Sequence, residues 1–190
     1  MKVYKLELDV DSYKSLLAKD SKVYAAHLLS LDGFPKFNKW LSPLEAVIDN
    51  AGEATPDIYS CGVGNILITK KSLNILEKTL TNVELLPVFW AEGTGFLVNV
   101  IGYSDCLDKK QTTWYIDKES GKKLFITNYQ FHKEKISEDL LFKIEEDCFE
   151  IFCADKEDGT ISFKTIIEEN TIKGIDFELI WDSKLSESTC

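Results

Sequence analysis

The chain has 190 residues, of which 28% are charged and 44% hydrophobic, a composition typical of a globular protein. Its formal net charge is −10, and all 22 basic residues are lysine. Gripping nucleic acid requires a basic face and usually arginine, so we expect no direct binding of nucleic acid. An anionic membrane surface would repel the chain, so we expect no membrane association either.

The N-terminal residues and the cysteines favour a cytoplasmic protein. The N-terminus reaches an acidic residue by Glu7 and lacks the apolar core of a signal peptide. The five cysteines are odd in number and irregularly spaced, and the chain has only two histidines. This pattern is typical of small core residues in a reducing compartment and predicts neither a metal site nor a cofactor.

In chain order, alternating apolar and charged residues first predict a strand over residues 3–8. Asp11 is expected to cap a short helix in which Tyr13, Leu16 and Leu17 share one face. Further apolar runs predict strands over residues 44–48, 66–68, 83–89, 96–101, 112–116, 124–131, 140–144 and 149–153.

Helix caps and turns punctuate these runs. Thr69 is a good N-cap for a helix over residues 70–80. Residues 92–95 and 119–122 contain glycine between apolar runs, which indicates two hairpin turns. Thr160 is expected to cap a later helix, in which residues 163, 166 and 167 share one face.

The last predicted strand covers residues 175–181, after a turn at Gly174. Its alternation places four apolar side chains on one inward face, namely Ile175, Phe177, Leu179 and Trp181. Runs of strands broken by a few helices predict an α+β fold with mostly antiparallel strands and two or three short helices. We assign residues 1–182 to a single domain and expect residues 183–190 to form a flexible tail.

Candidate catalytic residues are few. His27 lies in an apolar run and His132 at a strand end, so both are expected to be structural or surface residues. Asp105 and Asp108 could divide acid and base roles, but two carboxylates at a strand end more often form a turn. The glycines of residues 62–64 lack the third glycine of a phosphate-binding fingerprint, which favours a plain turn.

Negative charge concentrates in residues 134–158, which hold ten acids and three lysines. Such a run forms either a solvated face or a docking surface for a basic partner. The acids that flank the apolar run 149–153 are the candidate contact residues, namely Glu145, Glu146, Asp147, Asp155, Glu157 and Asp158.

The order of several short motifs resembles a family of bacterial immunity proteins found beside polymorphic toxins and long catalogued as a domain of unknown function. The resemblance covers residues 3–182. Its most specific parts are Glu-Leu-Leu-Pro from Glu84, Asn99-Val followed by Asp105-x-x-Asp108, and Gly-x-x-Phe-x-x-x-Trp from Gly174 to Trp181. It rests also on Val-Tyr-Lys-Leu from residue 3, Asp-Ile-Tyr from residue 57 and Ile-Leu-Ile-Thr-Lys-Lys-Ser-Leu from residue 66. Ile58 and Thr69 depart mildly from the pattern, where the family more often has Phe and Ser.

The resemblance implies a non-catalytic α+β protein that binds and neutralises a cognate toxin domain, with no catalytic residues to carry over. Toxins of such systems include nucleases, whose active site must be basic to hold nucleic acid, and an acidic protein suits such a partner. Two alternatives stay open. One is a small hydrolase-type enzyme that uses His27 or His132 with nearby carboxylates, and the other is a non-enzymatic adaptor. The sequence leaves the oligomeric state open.

Overall fold

The computed structural model describes residues 1–20, 22, 31–40, 44–49, 54–62, 64–136, 140–156 and 159–186. The strands within these residues are β1 (Lys2–Leu8), β2 (Ser15–Ala18), β3 (Leu44–Asp49), β4 (Ile58–Ser60), β5 (Ile66–Thr69), β6 (Val83–Trp90), β7 (Gly93–Val100), β8 (Thr113–Ile116), β9 (Lys123–Asn128), β10 (Phe142–Ile144), β11 (Asp147–Asp155) and β12 (Ile175–Asp182). The α-helices are α1 (Lys70–Leu76), α2 (Phe163–Glu169) and α3 (Ser183–Ser186). Short 3₁₀ turns occur at Phe37–Lys39, Glu77–Thr79 and Lys133–Lys135.

Two sheets and a ribbon organise these strands. One sheet has six strands in the order β2-β3-β6-β7-β5-β4, the other has four in the order β10-β11-β1-β12, and β8 and β9 form a two-stranded ribbon. Among the described strand pairs, only β3 and β6 run parallel. The predicted α+β class, with mostly antiparallel strands and a few short helices, is therefore confirmed. None of the helices in these described ranges is both long and apolar enough to cross a membrane.

The main core lies between the two sheets. Alternate residues of β1, Tyr4 and Leu6, meet Val98 and Val100 of β7 in one cluster, and the helices α1 and α2 close it. The neighbouring residues of β7 point the other way, because successive side chains of a strand alternate between faces. Leu97 therefore packs in a second cluster with residues of β3 and β6. Strands buried on both faces explain why β7 reads as a nearly continuous apolar run.

A third cluster covers the outer face of the four-stranded sheet. Val3, Phe152 and Trp181 lie on this face and pack against Phe131 and Phe142. The aromatic rings meet mostly edge to face at centroid distances near 6 Å, the arrangement that their charge distribution favours. Residues that follow the ribbon thus form a cover for part of the sheet.

One of the two predicted helix caps is confirmed, and the other is corrected. The Thr69 side chain accepts a hydrogen bond from the Ser72 N–H at 3.2 Å, as an N-cap does. The α-helix ends at Leu76, and a 3₁₀ turn replaces the rest of the predicted 70–80 helix. The cap of α2 is Ser162, which accepts from the Thr165 N–H at 3.1 Å, so the assignment to Thr160 is wrong.

The helix expected after Asp11 is wrong. Residues 15–18 form β2, which pairs with β3, and Asp9 accepts the Ser12 N–H at 2.9 Å in the turn before it. Leu16 is fully buried, whereas Leu17 is 37% exposed, so the true periodicity is that of a strand. Spacings of three and four residues in so short a segment fit either structure, and pairing with a partner distant in sequence decides between them.

The single inward face predicted for β12 is also corrected. Tyr4 pairs with Leu179, but Val3 pairs with Trp181, so β12 carries one extra residue at Ile180. This bulge turns Trp181 to the outer face, where it is 6% exposed, while Leu179 stays on the inner face at its margin and is 47% exposed. The sequence alternation holds up to the bulge and fails beyond it.

The structure also bears on the predictions for Gly174, for the β6–β7 turn and for the C-terminal tail. Gly174 has φ of +99°, and a Cβ there would lie 2.1 Å from the Ile58 carbonyl oxygen, so only glycine fits. The β6–β7 turn is the two residues 91–92 rather than 92–95, because Trp90 pairs with Gly93. The predicted tail starts as α3, with Ser183 buried and its N–H bonded to the Met1 carbonyl at 3.0 Å, whereas residues 187–190 lie outside the described chain.

Candidate interaction surface

A loop over residues 31–40 presents two phenylalanines to solvent. Phe34 is 60% exposed and Phe37 is 64% exposed. Gly33, in the Asp-Gly turn before them, has φ of +84°, a conformation that glycine adopts at little cost. Exposed aromatic side chains on a loop are unusual enough to mark a surface for partners when the loop is held in place.

Two polar side chains of the six-stranded sheet, one half-buried and one buried, hold this loop. The Glu84 carboxylate on β6 accepts the Lys36 N–H at 2.7 Å and the Phe37 N–H at 3.3 Å. Asn99 is its register partner on β7 and is fully buried. The Asn99 side-chain amide donates to the Phe34 carbonyl at 2.9 Å and to Glu84 at 3.1 Å. The backbone from Phe34 to Phe37 is therefore fixed from the side of the sheet.

Lys143 of β10 fixes the start of the same loop. Its ammonium is 3% exposed and donates to the Leu31 carbonyl at 2.6 Å and to the Cys148 carbonyl at 2.8 Å. Burial lowers the pKa of Lys143 below the ordinary lysine value, because a low-dielectric site disfavours the charged form. This lysine joins the loop to the β10–β11 turn, and so links it to the four-stranded sheet.

Tyr103 completes the aromatic surface. Its ring packs edge to face on Phe34 at a centroid distance of 6.2 Å, and its hydroxyl donates to the Asp32 carbonyl. Burial raises the pKa of Tyr103, and the charges of the Cys148 thiol, Asp32 and Glu145 add to the shift. Glu145 thus lies close enough to act on this hydroxyl. A cleft of about 330 Å³ beside Tyr103 is lined by residues including Ser104 and Lys135.

The acids predicted as contact residues do not converge on one patch. Glu145 is exposed in the β10–β11 turn near Tyr103. Glu146 pairs with Lys109, and Asp147 accepts a hydrogen bond from the Tyr129 hydroxyl. Two further acids around the loop are also paired, Asp32 with Lys36 at 2.7 Å and Asp105 with Lys135 at 3.2 Å. The rim of the aromatic surface is therefore charged but largely balanced.

Asp155 lies at the far end of the same strand. It is half-buried and pairs in register with Lys2, whereas the β10–β11 turn precedes the other end of β11. At about 3.3 Å per residue, the two ends of this nine-residue strand are roughly 26 Å apart. The remaining candidates Glu157 and Asp158 lie outside the described residues. Strand geometry thus separates acids that are close in sequence.

Of the two histidines in the enzyme alternative, only His132 can be placed, because His27 lies outside the described residues. The ring of His132 lies between two carboxylates, with Nε2 3.9 Å from Asp108 and Nδ1 4.0 Å from Glu134. Neither distance is a hydrogen bond. Asp108 instead accepts the backbone N–H groups of Lys110 and Gln111. Of the two carboxylates expected to form a turn here, it is therefore Asp108 that bonds the turn backbone, where we had expected Asp105 to do so.

The remaining candidates for chemistry among the described residues are four clefts, the segment around the two glycines and buried cysteines. Four shallow clefts of about 260 to 410 Å³ have linings without histidine. Within the described part of the chain, no three His, Cys, Asp or Glu side chains are grouped as metal ligands would be. The Cys61 N–H donates to the Asn65 carbonyl at 2.9 Å, which brings the residues on either side of the two glycines together. Burial raises the pKa of the Cys61 and Cys153 thiols to about 12.

Sequence reasoning missed the residues that matter most on this surface. Phe34, Phe37 and Tyr103 were not singled out, although two phenylalanines within a polar segment around Asp-Gly and Pro were a usable signal. Glu84 and Asn99 were noticed only as parts of motifs, and their role as anchors depends on contacts across the fold.

No protein-family model matches the chain, and no curated protein matches it either. The likeness to immunity proteins therefore rests on the motifs themselves.

Proposed function

We propose that this protein is a cytoplasmic immunity protein that binds a cognate toxin domain and neutralises it without catalysis. The observation that carries the proposal is the pair of exposed phenylalanines, Phe34 and Phe37, on a loop held by half-buried Glu84 and by buried Asn99 and Lys143. A buried polar framework under an exposed apolar tip is the design of a rigid binding surface, because a fixed loop loses little further entropy when a partner covers it.

The chemistry of the surface favours a protein as the partner. Aromatic side chains are enriched among the few residues that dominate binding free energy, and a polar rim commonly surrounds them. Here Phe34 and Tyr103 form the apolar centre, and the paired acids and lysines around them form the rim. The net charge of −10 steers a basic partner towards the chain over distances longer than any contact.

The motif resemblance supports the same proposal through particular residues. The Glu-Leu-Leu-Pro segment contributes Glu84, and the Asn-Val segment contributes Asn99. These two side chains are hydrogen-bonded to each other at 3.1 Å and to the phenylalanine loop. The segments that carry the resemblance are thus the ones that position the proposed contact residues.

The test uses the product of the gene beside this protein's own, which the proposal predicts to carry the toxin domain. We expect the protein to inhibit that toxin with a sharp one-to-one end point, because neutralisation by binding is stoichiometric. Replacing both Phe34 and Phe37 by Ala should weaken affinity by at least about 30-fold, as loss of an aromatic hot spot does. The matched control is Phe149→Ala, which removes a phenylalanine that is 66% exposed elsewhere.

Charge supplies an independent arm of the test. Glu145→Lys should slow association with a basic toxin several-fold at low salt, while Glu119→Lys, on the distant ribbon turn, should change it less. Inhibition at far less than one equivalent would indicate turnover and favour the enzyme alternative. So would loss of inhibition by a folded His132→Gln variant, since His132 is the described histidine with carboxylates on both sides. Complete absence of binding to the toxin would leave the adaptor reading and reject this proposal.

A further inference from the structure

The longest free sheet edge in the described chain carries two exposed acids. β12 has eight residues and pairs with β1 on one side only, so it ends the four-stranded sheet. Asp176 and Glu178 are two residues apart on this strand, are exposed, and point to the outer face. Their register partners on β1 are Glu7 and Lys5. An open edge of this length offers unpaired backbone groups to another chain.

Negative charge exceeds positive charge on this part of the outer face. The Lys5 ammonium lies 2.7 Å from Glu7 and 2.9 Å from Glu178, and its charge also acts on nearby Glu150. Three carboxylates thus act on one lysine, and Asp176 adds a fourth negative charge beside Glu7, its register partner. Burial raises the pKa of Glu150 despite the opposing effect of Lys5, and the neighbouring carboxylates raise it further. From the acidic run over residues 134–158, Glu150 lies on this part of the face. Glu7 of β1 and Glu178 of β12 add to its negative charge.

The inner face of the same edge is apolar. Phe177 lies between Asp176 and Glu178 in the chain and packs edge to face on Tyr4 at a centroid distance of 6.4 Å. Leu179 follows on this face and is 47% exposed. The edge therefore alternates acidic residues on one face with apolar residues on the other.

We propose that the free edge of β12 binds, by strand addition, an extended segment of the partner in which basic and apolar residues alternate. In such a pairing, side chains on neighbouring strands come within about 5 Å on the same face. Basic residues two apart would then face Asp176 and Glu178, and the apolar residue between them would cover Phe177 or Leu179. The backbone supplies affinity, and the alternation supplies specificity.

The charge pattern excludes a second copy of this chain as the better occupant. Antiparallel pairing of β12 with itself, centred on Phe177, would place Asp176 of each copy opposite Glu178 of the other on the same face. Like charges directly opposite destabilise a strand pair, whereas lysine or arginine there would relieve the excess around Lys5. The proposal rests on the proposed function only for the identity of the partner as a toxin.

The experiment uses synthetic peptides and the full chain. The probe is a fluorescently labelled, end-capped ten-residue peptide of alternating Lys and Val. One control peptide has the same composition with the lysines in one block, and another has alternate backbone nitrogens methylated. Affinity is measured by fluorescence anisotropy, and amide hydrogen exchange is followed along β12. We expect the alternating peptide to bind at least about tenfold more tightly than either control and to protect amides of residues 175–182.

Variants place the contact on this edge. Asp176→Asn combined with Glu178→Gln should weaken binding of the alternating peptide at least about tenfold, because the paired charges are lost. The matched control, Glu77→Gln with Glu119→Gln, makes the same change in net charge at exposed positions away from β12. Equal affinity for the block peptide, or full affinity for the methylated one, would overturn the proposal, as would absence of binding.

The outcomes also separate this proposal from the proposed function. The Phe34→Ala and Phe37→Ala changes should leave peptide binding unchanged, since the loop lies on the six-stranded sheet rather than on β12. If the alternating peptide binds as expected while the toxin does not, strand addition holds and the immunity function fails. If toxin neutralisation survives while the peptide does not bind, the reverse conclusion follows.

Discussion

The outer face of the four-stranded sheet has two halves, which are built on the same strands but differ in polarity and in solvent exposure. In one half, Phe131 packs against Phe142, Phe152 and Trp181 of the sheet, and Val3 belongs to the same cluster. In the other, one pleat along β1, Lys5 and its surrounding carboxylates remain partly open to water. The covered half is apolar and the open half is charged because the segment after the ribbon reaches over one half only. Burial on a sheet is thus decided by the cover as well as by the strand.

The largest effect is expected from the covered half. Phe152→Ala should lower the free energy of unfolding by about 3–5 kcal/mol, through lost burial and the cavity left among three aromatic rings. Phe149→Ala on the same strand should cost less than about 1 kcal/mol, because that side chain is 66% exposed. Urea denaturation of both variants measures the difference. Equal losses would contradict the assignment of Phe152 to the covered half.

Two lysines extend the comparison to buried and open cations. Lys143→Met should lower the free energy of unfolding by about 1–3 kcal/mol, because the carbonyls of Leu31 and Cys148 lose their donor. Lys5→Met should cost about 1 kcal/mol or less, since water screens the carboxylates that it leaves behind. Hydrogen exchange should quicken in residues 31–37 for the first variant alone. A Lys143→Met protein with an unchanged loop would show that desolvation of this lysine cancels its bonds.

The smallest effect is a gain of stability in the open half. Burial, together with Asp147, Glu7 and Glu178, raises the pKa of Glu150 above 4.5, so the folded protein holds this proton more tightly than the unfolded chain does. The free energy of unfolding contributed by Glu150 therefore falls as pH rises from about 4.5 through the folded-state pKa.

Glu150→Gln removes this loss. The variant should match the parent near pH 4 and exceed it at pH 7 by about 0.5 kcal/mol, an effect typical of a partly solvated charge. Urea titrations at a series of pH values give the comparison, with exposed Glu119→Gln as the control. A gain that is the same at every pH would assign the effect to side-chain packing instead of charge.

Local signals in the sequence predicted the elements whose residues are neighbours in the chain. The β6–β7 turn and the Thr69 cap depend on contacts within a few residues, and the outline of β12 follows from its own alternation, all of which composition and periodicity encode directly. The segment after Asp11 failed for the opposite reason. Its pairing with β3 lies more than 25 residues away, and nothing local separates a helix from a strand there.

The candidate sites illustrate the same division. Alternation along residues 175–179 is sufficient to place Asp176 and Glu178 on one face. The acidic face of the proposed edge could therefore be predicted without a structure. The bulge at Ile180 could not be predicted from the sequence, because it depends on the register with β1 and on the packing of Phe131 against Trp181. Similarly, the acidic run over residues 134–158 was visible at once, but β11 carries its two ends far apart.

By itself, the sequence determined the fold class, the net charge of −10 and the strands that local alternation marks. Tertiary structure decided which exposed residues are held rigidly, because the bonds to the 31–37 loop join residues 48, 65 and 112 positions apart. A loop in isolation would lose its order to conformational entropy. Half-buried Glu84 and buried Asn99 and Lys143 overcome that entropy only because the folded sheets bring them to the backbone of this loop, where water competes less for their hydrogen bonds than in the open chain.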